Sequence, residues 1–160
     1  MQNEPTHIYW MREAISLSQE GMKQGQGGPF GAIVVKDNKI IGKGFNRVLG
    51  SNDPTAHAEV EAIRDACKNL GSFQLEGCVI YTSCEPCPMC MGAIYWARPA
   101  AVYYANNRQD AADIGFDDDF IYQELAMPLN MRKLPIKELL REEALQAFRA
   151  WTKKDDRTSY

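Results

Sequence analysis

The sequence predicts an α/β fold in which a mixed central sheet of about five strands is flanked by helices. Short apolar runs with β-branched residues alternate along the chain with segments whose apolar residues recur at helical spacing. The predicted order of strand, strand, helix, strand, helix, strand implies parallel strands joined by helices, with an antiparallel hairpin at one edge. At 160 residues the chain can bury a substantial core without disulfides.

An amphipathic helix and a β-hairpin are predicted at the start of the chain. Residues 6–23 carry apolar side chains at helical spacing, and a flexible glycine-rich stretch follows them. Residues 30–35 are a compact apolar run that is typical of a buried strand. Asp37 and Asn38 form a two-residue turn of the hairpin type, so residues 39–45 return as the second strand.

Two strand–helix units are predicted in the middle of the chain. A polar loop over residues 46–55 precedes a helix over residues 57–70, which a glycine follows. Residues 78–82 form a short buried strand, and a helix that begins in a cluster of cysteines runs to residue 97. Residues 101–105 are the next strand. The N-termini of these two helices can therefore meet at the same end of the sheet.

The C-terminal third is predicted to contain short elements and one long helix. Residues 110–114 and 120–126 are assigned to helical turns, and residues 134–136 to a short edge strand. The apolar stripe of residues 138–151 predicts a helix. All of these elements are assigned to a single domain over residues 1–160.

Charge limits the classes of partner. The formal net charge is −3 and the sequence pI is about 5.4, with basic residues interspersed among acidic ones. A protein that holds a nucleic acid usually presents a basic face. We therefore expect no nucleic-acid partner and a small, weakly charged substrate.

The termini and the cysteines predict a cytoplasmic protein without a membrane partner. The first residues are polar and acidic, with no basic segment before an apolar run, and no apolar stretch approaches membrane-spanning length. Three of the five cysteines are crowded into seven residues. Such crowding fits metal binding in a reducing compartment better than a disulfide framework.

Cysteines and one histidine form the candidate metal site. Cys84, Cys87 and Cys90 are spaced three apart. At the start of a helix, the last two place their sulfurs on one side, one turn apart, and the helix N-terminus stabilises the thiolate that binds zinc. With His57 they would supply three protein ligands, and a catalytic zinc keeps its fourth position for water.

A closed structural site, with Cys84 as the fourth ligand, is the alternative. Glu59 favours the open site, because a closed structural zinc has no use for a carboxylate beside it. Water activated by zinc needs a group that carries its protons. The predicted chemistry is hydrolytic: water adds to an electron-poor C=N carbon that bears an amino group, Glu59 moves the protons, and ammonia leaves.

The motifs together carry a known signature. His-x-Glu followed by Pro-Cys-x-x-Cys is typical of zinc-dependent nucleobase deaminases, and the chain resembles the cytidine-deaminase superfamily. Within it the chain is most similar to the bacterial guanine deaminases, because of Trp96 and the Gly-Phe-Asp-Asp segment at residues 115–118. The stretches that carry the resemblance are residues 27–32, 51–59, 81–90, 92–98 and 111–118.

This resemblance implies a three-layer cytidine-deaminase-like fold and hydrolysis of guanine to xanthine and ammonia, with one Zn²⁺ per chain. It implies that zinc is held by His57, Cys87 and Cys90, with Glu59 as the proton shuttle. It also implies a homodimer in which residues 128–160 are exchanged and cap the partner's active site. The residues it assigns to the purine base are Phe30 (stacking), Asn46 (hydrogen bonding), Ala58, Trp96 (a pocket wall), Asp118 (in competition with Asp117 and Asp119) and Tyr160.

Other functions stay open at this point. A tRNA adenosine deaminase shares the stretch at residues 53–59, but it would need a basic rim for the RNA backbone. A deaminase of another aminopurine or of an aminotriazine would fit the same aromatic-walled slot. A zinc-stabilised binding module without catalysis would fully tolerate Glu59→Gln.

Overall fold

The computed structural model describes residues 4–160, which fall into two units divided between Asp118 and Asp119. Among the described residues no helix has both the length and the apolar character that crossing a bilayer requires. The elements of the first unit are α1 (Glu4–Lys23), β1 (Gly31–Lys36), β2 (Lys39–Phe45), α2 (Val48–Ser51), α3 (Ala58–Leu70), β3 (Val79–Cys84), α4 (Pro88–Ala97), β4 (Ala101–Asn106) and α5 (Arg108–Asp113). Those of the second unit are α6 (Asp119–Ala126), a 3₁₀ turn (Leu129–Met131) and α7 (Arg141–Thr152).

The sheet is mixed and has four strands among the described residues, in the order β2-β1-β3-β4. β1 is antiparallel to both β2 and β3, and β3 is parallel to β4. The predicted hairpin at one edge is confirmed, and Asp37 and Asn38 both have the positive φ that its turn requires. The predicted strand at residues 134–136 is wrong: these residues lie in a loop. The proline at their centre has no N–H for a ladder hydrogen bond.

Each face of the sheet carries its own apolar core. Ile33, Val35 and Tyr81 point to the side of α1, where Trp10 and Ala14 pack against them. The opposite face packs against α3 and α4. The members of this second core are Ala32, Val34, Ala58, Ala62, Ala66, Leu75, Cys78, Ile80, Ile94 and Ala97. Helices therefore cover both faces, as an α/β layer architecture requires.

Two glycines in β2 fix the position of α3. A Cβ atom at Gly44 would lie 2.3 Å from the carbonyl oxygen of Ala58, and one at Gly42 would lie 2.5 Å from that of Ala62. Only glycine permits this close approach of a helix to a strand. Because Ala58 opens α3, the same contact fixes where the first turn of the helix lies.

Several element boundaries differ from the predicted ones for local reasons. The polar loop at residues 46–55 contains α2, a single turn. α5 begins at Arg108 because Asn107 and Asp110 form a capping box. α7 begins at Arg141, three residues later than expected, because Leu140 has a left-handed backbone with φ 54°.

None of the residues in the second unit, Asp119–Tyr160, is buried. This unit nevertheless contains many apolar side chains, which alternate with charged ones along α6 and α7. Its exposed large apolar residues are Phe120, Leu125, Met127, Leu129, Met131, Leu134, Ile136, Leu139, Leu140, Phe148, Trp151 and Tyr160.

Candidate metal centre

The N-termini of α3 and α4 supply the three candidate metal ligands. His57 is the N-cap of α3 and Cys87 is the N-cap of α4, and both have extended backbones. Cys90 lies in the first turn of α4, three residues after Cys87, and Pro88 occupies the first helical position, where proline needs no hydrogen-bond donor. The predicted meeting of the two helix starts is therefore observed. Each candidate ligand therefore lies at the positive end of a helix dipole.

The geometry of these side chains fits a zinc ion. The Nδ1 atom of His57 lies 3.5 Å from the Sγ atom of Cys87 and 3.5 Å from that of Cys90. All three ligand atoms lie within 4.8 Å of one another. A tetrahedral zinc with ordinary Zn–N and Zn–S distances would place a nitrogen and a sulfur ligand about 3.6 Å apart. The three side chains therefore already stand at the spacing that zinc requires.

Hydrogen bonds within the cluster favour a thiolate. The hydrogen bond that Cys87 accepts from the Cys90 thiol, with a further one from His57, lowers the pKa of Cys87 to about 4. The same hydrogen bond and burial raise the pKa of Cys90, and the bond to Cys87 raises that of His57. Cysteine binds zinc as thiolate and histidine as neutral imidazole. Zinc binding therefore releases the protons that Cys90 and His57 hold in the metal-free protein.

Cys84 lies outside this group of ligands. Its Sγ atom donates a hydrogen bond to the carbonyl oxygen of Asn107 at 3.8 Å, at the end of β4. Burial raises the pKa of Cys84 to about 11, which keeps it a thiol at neutral pH. This position favours the open site with three protein ligands over the closed one with four.

Glu59 points at the metal cluster from the first turn of α3. Its side chain is buried, its Oε2 atom lies 3.4 Å from the Sγ atom of Cys90, and its Oε1 atom accepts a hydrogen bond from the hydroxyl of Thr82 at 3.0 Å. Burial raises the pKa of this carboxyl, and the hydrogen bonds it accepts partly offset that effect. A buried carboxyl beside the candidate metal ligands, with a raised pKa, is suited to taking and returning a proton.

Backbone hydrogen bonds bring Phe30 and Asn46 to the same end of the sheet as His57. The N–H of Asn46 donates to the carbonyl oxygen of Phe30 at 3.0 Å, and the next residue, Arg47, donates to Ala56, which precedes His57. Asn46 is 5% exposed, and its Oδ1 atom accepts from the N–H at position 48. Ala58 is fully buried in the core and lies between the two polar members of the motif.

The remaining predicted contact residues differ in their surroundings. Trp96 lies on α4 and is 66% exposed. Asp118 is the last residue of the first unit, and burial, followed by the charge of Cys87, raises its pKa. Tyr160 ends the second unit and is 69% exposed.

Two side chains that contact the candidate site residues are not predicted from the sequence. Thr82 was assigned only to a buried strand, although its place two residues after Ile80 puts it on the face toward α3. The sequence points to Phe116 only as a member of the Gly-Phe-Asp-Asp segment at residues 115–118, which carries the family resemblance. Its ring stands edge-on to that of Phe30, with centroids 4.9 Å apart. The sequence signal for Phe116 is an aromatic residue between Gly115 and an acidic run. The signal for Thr82 is the two-residue period of the strand, which puts it on the same face as Ile80.

Comparisons with known proteins agree with this site. Residues 4–106 match the family described as the cytidine and deoxycytidylate deaminase zinc-binding region. Guanine deaminase of Bacillus subtilis (strain 168) is 57% identical over 145 residues, which cover 91% of this chain and 93% of the relative. An X-ray structure of guanine deaminase from Bacillus subtilis superimposes with a TM-score of 0.93 at 53% identity and covers 99% of each chain.

A second class of relative is more distant. A tRNA-specific adenosine deaminase of Buchnera aphidicola subsp. Schizaphis graminum (strain Sg) is 35% identical over 136 residues, covering 84% of this chain and 86% of the relative. The histidine, the glutamate and the two cysteines of the candidate site all lie within residues 4–106, which match the zinc-binding region. The chain therefore belongs to the cytidine and deoxycytidylate deaminase zinc-binding family.

Proposed function

We propose that this chain is a zinc-dependent guanine deaminase that converts guanine to xanthine and ammonia. One observation carries the choice of substrate: a guanine deaminase matches it at 57% identity over nearly the whole of both chains. The geometry of His57, Cys87, Cys90 and Glu59 supports the same chemistry, because it joins a zinc-binding group with an open coordination position to a buried proton carrier.

Glu59 carries the protons in this proposal. When bound, zinc supplies Lewis-acid activation of water at neutral pH. The Oε2 atom of Glu59 takes the proton that water gives up and passes it to a ring nitrogen of the base as the carbon–oxygen bond forms. Glu59 then takes the second proton of that oxygen and gives it to the exocyclic amine, which leaves as ammonia when the carbon–nitrogen bond breaks.

The side chains where β1 begins and β2 ends would hold the base. Phe30, supported edge-on by Phe116, offers an apolar face for a planar purine. Asn46 is held close to Phe30 by the backbone and carries an amide that can read a donor and acceptor edge. Asp118 is assigned to the purine edge and Trp96 to a wall of the pocket. Tyr160, at the end of the exchanged segment, is assigned to the site of the partner subunit that this segment would cap. Ala58, which lies between His57 and Glu59, is also assigned to the residues that bind the base.

The net charge of −3 argues against a tRNA substrate. Proteins that hold an RNA backbone neutralise phosphates with lysine and arginine. The acidic run at residues 117–119 adds negative charge that would repel those phosphates.

A panel of substrates tests the proposal. The zinc-loaded protein is incubated separately with guanine, adenine, cytosine, an aminotriazine and a tRNA anticodon stem, and ammonia release is measured. We expect release from guanine at a rate at least about tenfold above the others, since unpaired polar groups in a site reject analogues that lack a matching edge. Release from the tRNA alone, or from none of these compounds, would overturn the proposal.

We also propose a homodimer that exchanges residues 128–160. The support is the second unit itself: it has no buried residue, yet it exposes twelve large apolar side chains. Helices with uncovered apolar faces need a partner surface. The first unit exposes Tyr95, Trp96 and Tyr104, which offer aromatic area to such a partner.

Mixing two weakened variants tests the exchange. Glu59→Gln lacks the proton carrier and Tyr160→Ala lacks the capping residue. If each subunit caps its partner, a mixed dimer contains one complete site, and random reassociation restores about a quarter of wild-type activity. Activity that stays at the average of the two separate variants would exclude a shared site.

We propose that the protein acts in the cytoplasm. All five cysteines are free, and three of them crowd at the metal centre. Such a cluster stays reduced and free to bind metal where the compartment is reducing. Fractionation of cells that express the full chain, with activity measured in each fraction, tests this placement; activity found chiefly in an extracellular fraction would contradict it.

A further inference from the structure

Thr82 lies at a rigid position beside Glu59. It is in the middle of β3, paired with Ala32 of β1 on one side and with Tyr104 of β4 on the other. Its side chain is 1% exposed and points to the face of the sheet that α3 covers. A hydroxyl in such a place is fixed by two ladders of backbone hydrogen bonds and by the packing around it.

Within the described residues, the hydroxyl of Thr82 makes one hydrogen bond, and its partner is the proton carrier. The Oγ1 atom of Thr82 donates to Oε1 of Glu59 at 3.0 Å, and the contact spans 23 positions of sequence. The other carboxylate oxygen, Oε2, lies 3.4 Å from the Sγ atom of Cys90, a candidate zinc ligand. The two oxygens of Glu59 thus have different partners: one faces the sheet and the other faces the metal cluster.

A carboxylate needs such a partner to keep one orientation. The terminal torsion of a glutamate is broad, because an sp³–sp² bond has no sharp staggered minima. The hydroxyl of Thr82 gives Oε1 a fixed donor, and so leaves Oε2 as the oxygen that exchanges protons at the metal. Misplacement of a reacting group by about 1 Å can cost about 100-fold in rate.

We propose that Thr82 is a positioning residue for Glu59, and that its hydroxyl fixes the plane of the carboxylate during proton transfer. This inference rests on the proposed deamination. It predicts that removing the hydroxyl lowers kcat rather than raising KM, because the substrate contacts are left in place. It also predicts that any side chain that keeps a hydroxyl at this position keeps the rate.

Three substitutions at one position and one at its neighbour test this. Thr82→Val removes the hydroxyl and keeps the shape, Thr82→Ala removes it by truncation, and Thr82→Ser keeps it. Ser83→Ala is the matched control: its hydroxyl is equally buried in β3, but it accepts from the N–H of Gly31 on the other face. Zinc content, kcat and KM for guanine are measured for each zinc-loaded protein.

We expect Thr82→Val and Thr82→Ala to lose about 10- to 100-fold in kcat with KM and zinc content unchanged. Thr82→Ser should retain most of the rate, and Ser83→Ala should remain near wild type in kcat even if it melts at a lower temperature. A wild-type kcat in either variant without the hydroxyl overturns the inference. So does a loss of kcat that follows the loss of zinc, or a Thr82→Ser protein as slow as the valine variant.

A readout without substrate separates this inference from the proposed function. In a crystal structure of the zinc-loaded Thr82→Val protein, or of Thr82→Ala if the valine variant does not fold, the Glu59 carboxylate should be rotated or present in more than one orientation. An unchanged carboxylate overturns the positioning role. If the wild type releases no ammonia from guanine, the proposed function fails, and the orientation of Glu59 in this structure still decides the role of Thr82.

Discussion

Replacing Glu59 by glutamine should abolish turnover without loss of the fold or of zinc. Glutamine has the same shape, and its Oε1 atom can still accept the hydrogen bond that Thr82 donates at 3.0 Å. It cannot take up a proton at the position of Oε2. General acid–base catalysis typically contributes 10²- to 10⁴-fold, so kcat should fall by about 100- to 10,000-fold. This fall corresponds to about 2.7–5.4 kcal/mol of lost transition-state stabilisation.

The same substitution should not destabilise the metal-free protein. Burial raises the pKa of Glu59 in the folded state above its ordinary value of 4.5. A raised pKa means that folding favours the protonated carboxyl, so stability is lost as pH rises from 4.5 through the folded pKa. Glutamine does not ionise. At neutral pH the variant should melt at or above the wild-type temperature, and the difference should shrink as the pH falls toward 4.5.

Glu61→Gln is the matched control on the same helix. Glu61 lies 2.9 Å from Arg64 and 3.9 Å from Arg47, in ion pairs near the surface. Losing them should cost about 0.2–1 kcal/mol of stability and leave kcat unchanged. The assay compares ammonia release, bound zinc and thermal melting for both variants. A Glu59→Gln protein that binds zinc and keeps more than about a tenth of wild-type kcat would refute the assignment of the proton carrier.

The remaining predictions concern the metal, the packing of α3 and the base. Cys84→Ser should keep stoichiometric zinc by metal analysis, whereas Cys87→Ser should lose it; zinc loss in the first would restore the closed-site alternative. Gly44→Ala should lower the melting temperature, at a cost of about 1–3 kcal/mol, since its Cβ would lie 2.3 Å from a carbonyl oxygen in the first turn of α3; unchanged melting would refute that close contact. Phe116→Ala should raise KM for guanine more than it lowers kcat, because the edge-on contact with Phe30 contributes about 0.5–1.5 kcal/mol; an unchanged KM would remove Phe116 from the base site.

Most of the first unit could be predicted from local pattern. The hairpin was predicted from Asp37 and Asn38, and α3 from its helical spacing and its closing glycine. The C-terminal third was harder. The strand predicted at residues 134–136 is absent because a strand needs an edge to pair with and this segment contains a proline. The start of α7 was misplaced because the left-handed backbone of Leu140 leaves no mark in the apolar periodicity.

The metal centre could be predicted because its chemistry depends on spacing. Cys87 and Cys90 are neighbours on one helix turn, so three positions of sequence already place their sulfurs together. Asn46 was found by resemblance, and only the loop hydrogen bonds explain why it lies near Phe30. Phe30 and Asn46 are sixteen positions apart in the sequence, and the β1–β2 hairpin brings them together. Sequence periodicity predicts this hairpin but not the direction in which the two side chains point.

The fold class, the candidate zinc ligands and the hydrolytic chemistry follow from the sequence, because helical and strand periods and ligand spacing are local properties. Which distant residues come to lie beside the candidate site depends on tertiary packing. Thr82 meets Glu59 across 23 positions because β3 and α3 share one core face, which two glycines of β2 allow α3 to approach closely. Cys84 turns toward Asn107 instead of the cluster because β3 pairs with β4 to its last residue. Such choices follow from the packing of distant elements, which no short stretch of sequence encodes.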